Sequence, residues 1–442
     1  MRHCSALLLQ RSRSVRSVWA RSSAALATRA SAVPRTGAEC SSLRRAPADI
    51  KRGLASEPVR VARRLLAQGI GWGLTIGCAY ALISVARVEP RDPDSSLYVA
   101  IARSLEHRPL AAWIAPTWPE GRAHSGLFRE HPAVFFWPAA ALGRLGMVRA
   151  ALLCNLLWYL AMLAALVALG RALLGEEGGV LAGALFLVSP LGLQYLLRFN
   201  HEAAWAFATI AGLVCLSAPR LGPWRGAALV GLLALACAMK GALGLLGLAL
   251  WAAWAWRRGL LRAFLPWAVL AIATVALLAA LYELAYRRET GEAFLTLYLR
   301  IQSGYVEKAE QIGWGRKLFT PVYYLLSAAY FALPSSLLLL WDLLRSRRGL
   351  GHDARWLPLV CGSGWMVVLS AISRRAIRYA FPVLPLFHLA GAETVADRFP
   401  KAMLRLRQLR PLAPYFAMTW MLAVIALRAF LEPGWYRFIN PL

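Results

Sequence analysis

Four stretches of the sequence set ionisable side chains beside long apolar runs, and each suggests a definite chemistry. The first is Glu89-Pro90-Arg91-Asp92-Pro93-Asp94-Ser95-Ser96-Leu97-Tyr98. Its two prolines hold the chain extended and stop the preceding apolar run from continuing as helix. From Asp94 onward, Leu97, Ile101 and Leu105 fall on one stripe, the pattern of an amphipathic helix. Asp94 then suits the N-cap, where a carboxylate accepts backbone N–H bonds. The same geometry fixes a carboxylate where it can take a proton from an incoming hydroxyl or amine. The second stretch, Arg198-Phe199-Asn200-His201-Glu202, puts Glu202 in the first turn of an apolar helix, where the helix dipole favours an acid. Asn200 is the better N-cap residue, which leaves the Glu202 carboxylate available. In the third, Met239-Lys240-Gly241 interrupts an apolar run from Gly226 to Trp256. Lys240 either snorkels to the headgroups or, with Gly241 making a tight reversal, stands as a fixed positive charge suited to a phosphate. The fourth, Ser373-Arg374-Arg375-Ala376-Ile377-Arg378-Tyr379, brings three arginines whose guanidiniums can grip phosphate oxygens two at a time.

The elements that must carry these groups are helices in lipid. The 442 residues are 59% hydrophobic and 16% charged, with a mean hydropathy of +0.51. A soluble domain carries roughly a quarter of its residues as Asp, Glu, Lys or Arg. Apolar runs of about 17 to 25 residues, the length that crosses roughly 30 Å of hydrocarbon as helix, recur from Leu65 to Leu431. The predicted spans are 65–87, 148–172, 179–199, 202–218, 225–239, 241–257, 263–286, 319–344, 356–373, 377–395 and 412–431.

Basic loops orient these spans, because Lys and Arg in short loops stay on the cytoplasmic side. If 132–146 does not cross, the groups at Arg60/Arg63/Arg64, Arg171, Arg220/Arg225, Arg257/Arg258/Arg262, Arg345/Arg347/Arg348/Arg355 and Arg398/Lys401/Arg405/Arg407/Arg410 all fall inside. If it does cross, every group after the first moves outside. The expectation is therefore eleven spans, with 132–146 as a helix on the outer membrane surface and its Phe135, Phe136 and Trp137 at the interface. Outer loops 88–147 and 287–318 are then long, as loops that build sites often are. Asp94, Glu202, Lys240, Arg375 and Arg378 all gather on the outer rim. The three arginines there run against the positive-inside trend, and an anionic lipid headgroup would account for them.

Composition also excludes alternatives. The formal charge of +28 would suit nucleic acid in a soluble protein, but the arginines lie in short loops and the N-terminal tail, without interleaved aromatics. The seven cysteines form no CxxC and fall in the tail or in apolar spans, so neither a disulfide framework nor a metal site is expected. Residues 1–64 hold fourteen Lys or Arg against three acids and no run long enough to cross. That tail reads as a transit-type targeting segment, a disordered basic tail, or a start codon placed too far upstream. Glu283 and Glu393 are the acids well inside a span, each near its end. A transporter would more typically show midplane charges on broken helices and inverted repeats.

Taken together, these motifs resemble a known family. Pro93-Asp94-Ser95-Ser96-Leu97-Tyr98 is similar to the PDE-x-x-Y motif after the first span of the membrane-embedded C-type glycosyltransferases, particularly the protein O-mannosyltransferase and lipid A aminoarabinose transferase group. Ser95 stands where that family carries Glu. Glu130-His131-Pro132 with Phe136-Trp137 resembles its E-K-P segment, His131 replacing the lysine. Glu202 resembles the acid opening the fourth span, Met239-Lys240-Gly241 its T-K-G, and Ser373 through Pro385 its S-x-x-K-x-x-x-Y-x-x-P-x-x-P signature, with arginines for lysine. The markers run in order across residues 66–395.

The resemblance implies an all-α polytopic fold of about eleven transmembrane helices, with juxtamembrane helices in the first outer loop. The glycosyltransferase membrane domain would cover 65–395, and 396–442 would hold a basic inner loop and the last span. The implied reaction is inverting transfer of a glycosyl group from a polyprenyl-phosphate sugar to a lipid, glycan or protein acceptor. It would occur at the extracytoplasmic face, in a bacterium the periplasmic side of the inner membrane. In that reading Asp94 is the general base and Glu202 orients the acceptor or Asp94. Lys240, Arg378 and Arg375 hold the donor phosphate, and Tyr98, His131 and Tyr379 touch substrate. No cofactor, metal ion or nucleic acid is expected. The alternatives are a flippase or transporter of a lipid-linked sugar and an oligosaccharide ligase using a polyprenyl-pyrophosphate donor.

Overall fold

The computed structural model describes residues 69, 71–81, 93–119, 126–310, 314–345, 353–371 and 377–430, all within the unit Gly69–Leu442. The expectations for the basic tail, for most of span 65–87, and for Arg374 and Arg375 lie outside the described residues. What is described is helical, apart from turns and one isolated bridge between Thr117 and Leu127. The all-α polytopic expectation holds.

Helix α1 (Pro93–Leu105) follows the paired prolines and buries Tyr98, Ile101 and Leu105. Asp94 sits in its first turn, with the helix already begun at Pro93. The stretch 132–146 is too fragmented to cross: it forms a 3-10 turn Ala133–Phe136, a helical turn Trp137–Ala141 and a 3-10 turn Gly143–Leu145. The single surface helix expected there is therefore corrected. So is the membrane-interface role of its aromatics, because Phe135 and Phe136 pack inside the protein with Tyr98, Phe128 and Phe199.

Helix α2 (Met147–Val188) is 42 residues long but turns back on itself at Gly175, whose φ of 80° only glycine adopts readily. Its two arms pack face to face. A Cβ on Gly170 would lie 2.7 Å from the Gly179 Cα, and one on Gly183 would lie 2.6 Å from the Val167 side chain. Tyr159 meets Phe186, and Asn155 Nδ2 donates to the Tyr195 carbonyl (2.9 Å) beyond the break at Ser189-Pro190.

A second hairpin follows. Helix α3 (Glu202–Leu216) is nearly all buried. Helix α5 (Leu246–Arg257) runs beside α3 in the same direction. Trp251 Nε1 donates to the Thr209 carbonyl (2.8 Å) and Trp254 Nε1 to Ser217 Oγ (3.2 Å). Helix α4 (Pro223–Lys240) must therefore run the opposite way, and it meets the 3-10 turn Gly241–Leu245 at an apex beside Glu202. Helix α6 (Leu261–Thr290) returns to the same end and leaves Leu265, Val269, Ile272, Leu277, Leu281 and Leu284 exposed. Such a face suits lipid, since exposed contiguous apolar surface is uncommon on soluble monomers.

Two further predicted spans are broken. In place of 319–344, α8 (Trp314–Phe331) and α9 (Ser335–Arg345) meet at 108° across Pro334. In place of 377–395, the 3-10 turns Ile377–Ala380 and Leu384–Leu386 precede α11 (Phe387–Arg398), because Pro382 and Pro385 forbid a continuous helix. Between the two, α10 (Ser363–Ala371) follows a π-helical turn Leu357–Gly362. Helices α12 (Pro400–Leu409) and α13 (Ala413–Phe430) complete the described chain. By length and composition, four helical stretches among the described residues can cross: Met147–Val188, Pro223–Arg257, Leu261–Thr290 and Pro400–Leu427. Counting the bent pair as one span makes five. The expected total of eleven is a finer count than length and composition give.

The bundle has two chemically different ends. At one, Arg257 and Arg258 reach Asp353 (3.2 and 2.7 Å), while Arg407 and Arg410 of the 400–412 region face Glu177 near the Gly175 turn. Arg355 is 1% exposed there and binds Asp342 (2.7 Å), Glu393 (2.9 Å) and Asp397 (3.1 Å), with Arg398 on the second oxygen of Asp342 (2.8 Å). Arg355 and Arg398 therefore belong to a buried ionic cluster rather than to a free basic loop. Asp342 is a buried acid that the apolar run 319–344 concealed. The other end carries the site.

Candidate active site

Three helix termini converge at the rim, the first turns of α1 and α3 and the end of α4, together with the segments that carry Arg198, His131 and Tyr379. Asp94 enters from the first turn of α1. Its carboxylate pairs with Arg378, from the 3-10 turn Ile377–Ala380, and lies 3.7 Å from Arg198 Nη2. The carboxylate is thus turned to two guanidiniums, and the N-cap role expected for Asp94 gives way to ion pairing. Asn200 is not a helix cap either. His201 holds that position, no side chain caps α3, and Asn200 Oδ1 accepts from the His201 backbone N–H (2.8 Å).

Glu202 and Lys240 meet at 3.0 Å with side chains 0% and 1% exposed. The hairpin apex explains this contact: the reversal at Gly241 stops α4 at Lys240 beside the first turn of α3. A snorkelling lysine is thereby ruled out. Two charges removed from water must satisfy one another, and removing one partner of such a pair typically costs about 3–5 kcal/mol. Tyr298, from α7 (Phe294–Glu310), accepts from the Ala242 N–H (2.9 Å) and so fastens the apex.

Tyr379 joins the two charge pairs. Its ring lies 5.3 Å from Lys240 Nζ and 5.6 Å from the Arg378 guanidinium. The Trp365 indole N–H holds the Tyr379 carbonyl at 2.9 Å, and Tyr195 stacked on Phe381 at 4.0 Å ties the 190s to the same loop. On the other side, His201 makes ring contacts with Tyr98 and with His131, both at 4.7 Å. Burial, with the Glu202 and Glu130 carboxylates adding to it, drives the Tyr98 hydroxyl well above its ordinary value. Burial, then His131 and Lys240, holds the His201 imidazole well below 6.5.

Asp94, Glu202, Lys240, Arg378, Tyr98, His131 and Tyr379 are thus brought together, while Arg375 lies outside the described residues. Sequence reasoning gave no role to Arg198, His201 or Tyr298. The first two stand in the same five-residue motif as Glu202, which was the available signal. Tyr298 has no local signal at all. Among the described residues no three of His, Cys, Asp and Glu converge on a metal position. Chemically, the rim offers a partly exposed carboxylate, cations able to face a phosphate, and a buried group of imidazole, amide and phenol.

The fold has solved counterparts. The chain superposes on ArnT from Cupriavidus metallidurans in the apo state with a TM-score of 0.58 and 15% identity, covering 84% of this chain and 80% of that one. Against ArnT bound to undecaprenyl phosphate the TM-score is 0.55 at 15% identity, over 87% and 80%. Archaeal oligosaccharyltransferase AglB from Archaeoglobus fulgidus, in complex with an inhibitory peptide and a dolichol-phosphate, gives 0.43 at 11% identity, over 83% and 57%. No family model matches the sequence, and no curated protein does. The chain shares the polytopic membrane fold of ArnT.

Proposed function

We propose that this protein transfers a glycosyl group from a polyprenyl-phosphate sugar to a lipid, glycan or protein acceptor, at the rim end of the bundle and on the extracytoplasmic side of its membrane. The observation that carries this reading is the junction of Asp94 and Arg378 beside the buried Glu202–Lys240 pair, with Tyr379 between them. An ArnT structure that holds undecaprenyl phosphate supports a polyprenyl carrier.

Asp94 takes the proton of the acceptor hydroxyl as its oxygen attacks the anomeric carbon from the face opposite the phosphate. The anomeric C–O bond breaks, its electron pair stays on the phosphate oxygen, and the anomeric configuration inverts. Negative charge grows on the leaving phosphate, so Lys240 and Arg378, with Arg375, stabilise the transition state more than the ground state. A donor phosphate competes with Asp94 for the Arg378 guanidinium, which frees the carboxylate to act as base. Glu202 fixes Lys240 and presents its second oxygen to substrate.

Purified protein incubated with a panel of polyprenyl-phosphate sugars and acceptors should release polyprenyl phosphate, and Asp94→Asn should slow release by roughly 10² to 10⁴-fold. Wild-type release by a normally inserted Asp94→Asn protein would remove Asp94 as base. One feature favours a flippase instead: the bend at Pro334, where Ser335 Oγ lies 2.8 Å from the Nδ1 of buried His388, resembles the broken helices of transporters. Translocation of the intact lipid-linked sugar in proteoliposomes, without release from any donor, would select that reading.

A further inference from the structure

Asn200, His201 and Glu202 are consecutive and at most 1% exposed. Each keeps one polar atom with no partner among the described residues: Asn200 Nδ2, His201 Nε2 and Glu202 Oε2. Buried polar atoms are nearly always hydrogen-bonded, so three in a row mark a place built for something polar.

The hydrogen-bonding sense of each atom follows from its neighbours. The Asn200 side-chain atom that accepts from the His201 N–H must be the oxygen, so the far end of the amide is a donor. His201 Nδ1 lies 3.2 Å from that same oxygen and therefore carries the ring proton, which makes Nε2 an acceptor. Glu202 gives its first oxygen to Lys240 and keeps the second as an acceptor. The set is one donor and two acceptors, with the carboxylate charge already balanced by Lys240. An anion would meet two acceptors, and a second cation would face Lys240. An uncharged diol fits, because each hydroxyl both donates and accepts. The walls are aromatic: the His201 ring lies 4.1 Å from Phe135 and 4.7 Å from Tyr98.

We propose that Asn200, His201 and Glu202 form a subsite for two neighbouring hydroxyls of a sugar ring. It rests on the polyprenyl-phosphate transfer reading and adds which part of the substrate this wall holds. Two sources share this chemistry, the sugar of the donor and a sugar acceptor. Contact between Glu202 and the cation assigned to the donor phosphate places the donor sugar first.

The test uses the full chain in detergent or nanodiscs, with polyprenyl phosphate, polyprenyl-phosphate hexose and singly deoxygenated hexose carriers as probes. On the wild type, deleting a hydroxyl should weaken binding at two neighbouring ring positions and at no others. His201→Phe, which keeps the ring in its aromatic box, and Asn200→Leu should each weaken the hexose carrier about tenfold while binding of sugarless polyprenyl phosphate stays unchanged. If both carriers bind the variants normally but the KM for a glycan acceptor rises about tenfold, the same subsite holds the acceptor sugar. Equal weakening of both carriers would make the trio structural and overturn the proposal. So would variants in which neither carrier affinity nor acceptor KM moves. Wild-type protein that binds neither carrier would instead overturn the polyprenyl-phosphate reading itself, and the subsite with it.

Discussion

At the scale of single residues, Glu202 and Lys240 couple stability to chemistry, and the two can be separated. Lys240→Ala leaves a carboxylate buried without its cation and should lower stability by about 3–5 kcal/mol, read as a fall in the thermal midpoint in detergent. The double variant Glu202→Gln/Lys240→Met removes both charges. It should recover most of that midpoint while sugar release stays lost; recovery of release would end the catalytic role of Lys240. His201 gives a pH test. Its folded value is depressed below 6.5 while the unfolded chain takes up a proton near 6.5, so the unfolded state binds more protons below that pH. The associated stability is fully present above pH 6.5 and is lost as pH falls beneath it. Midpoints measured against pH should decline on the acid side, and His201→Phe should flatten that decline. The Glu202 and Lys240 charges were legible in the sequence, because an isolated acid or lysine in an apolar run is conspicuous. Their partners were not: Lys240 is 38 residues from Glu202. A local capping role, plausible for Asp94 and Asn200 from sequence alone, gave way to tertiary contacts.

Among the elements, the hairpin apex matters most to the site. Gly241 has φ 59° and ψ −138°, and a Cβ there would lie 2.3 Å from the Tyr298 hydroxyl. Gly241→Ala must therefore shift the apex and Lys240 with it. Displacements near 1 Å at a reacting centre can cost on the order of a hundredfold, and turnover per folded molecule should fall by that order. Tyr298→Phe, which removes only the acceptor for Ala242, should cost less; equal losses would mean that Tyr298 does more than fasten the apex. The reversal at Gly241 was readable because glycine beside a lone lysine punctuates the run. The bend at Pro334 and the loop around Pro382 and Pro385 were not resolved, since a hydropathy run is blind to where its helix breaks. The aromatics of 132–146 misled for a related reason: buried and interfacial aromatics look alike in one dimension.

For the whole molecule, the positive end and the site end should face opposite compartments. In a background free of native cysteine, an impermeant thiol reagent added from outside should label Gly291→Cys and spare Arg220→Cys. The reverse pattern would invert the topology on which the extracytoplasmic assignment depends. The charge asymmetry behind it is legible in the sequence because basic loops can be counted, but the count took in Arg355 and Arg398, which the fold ties into ion pairs with Asp342, Glu393 and Asp397. The close approach of the two α2 arms carries one more consequence, for genetics. Gly170, Gly179 and Gly183 leave no room for a side chain, and none of them is at the rim. In a saturation screen scored by survival they would look as intolerant as Asp94 or Lys240. Only paired readings of protein abundance and activity would separate residues that let the chain fold from residues that act on a substrate.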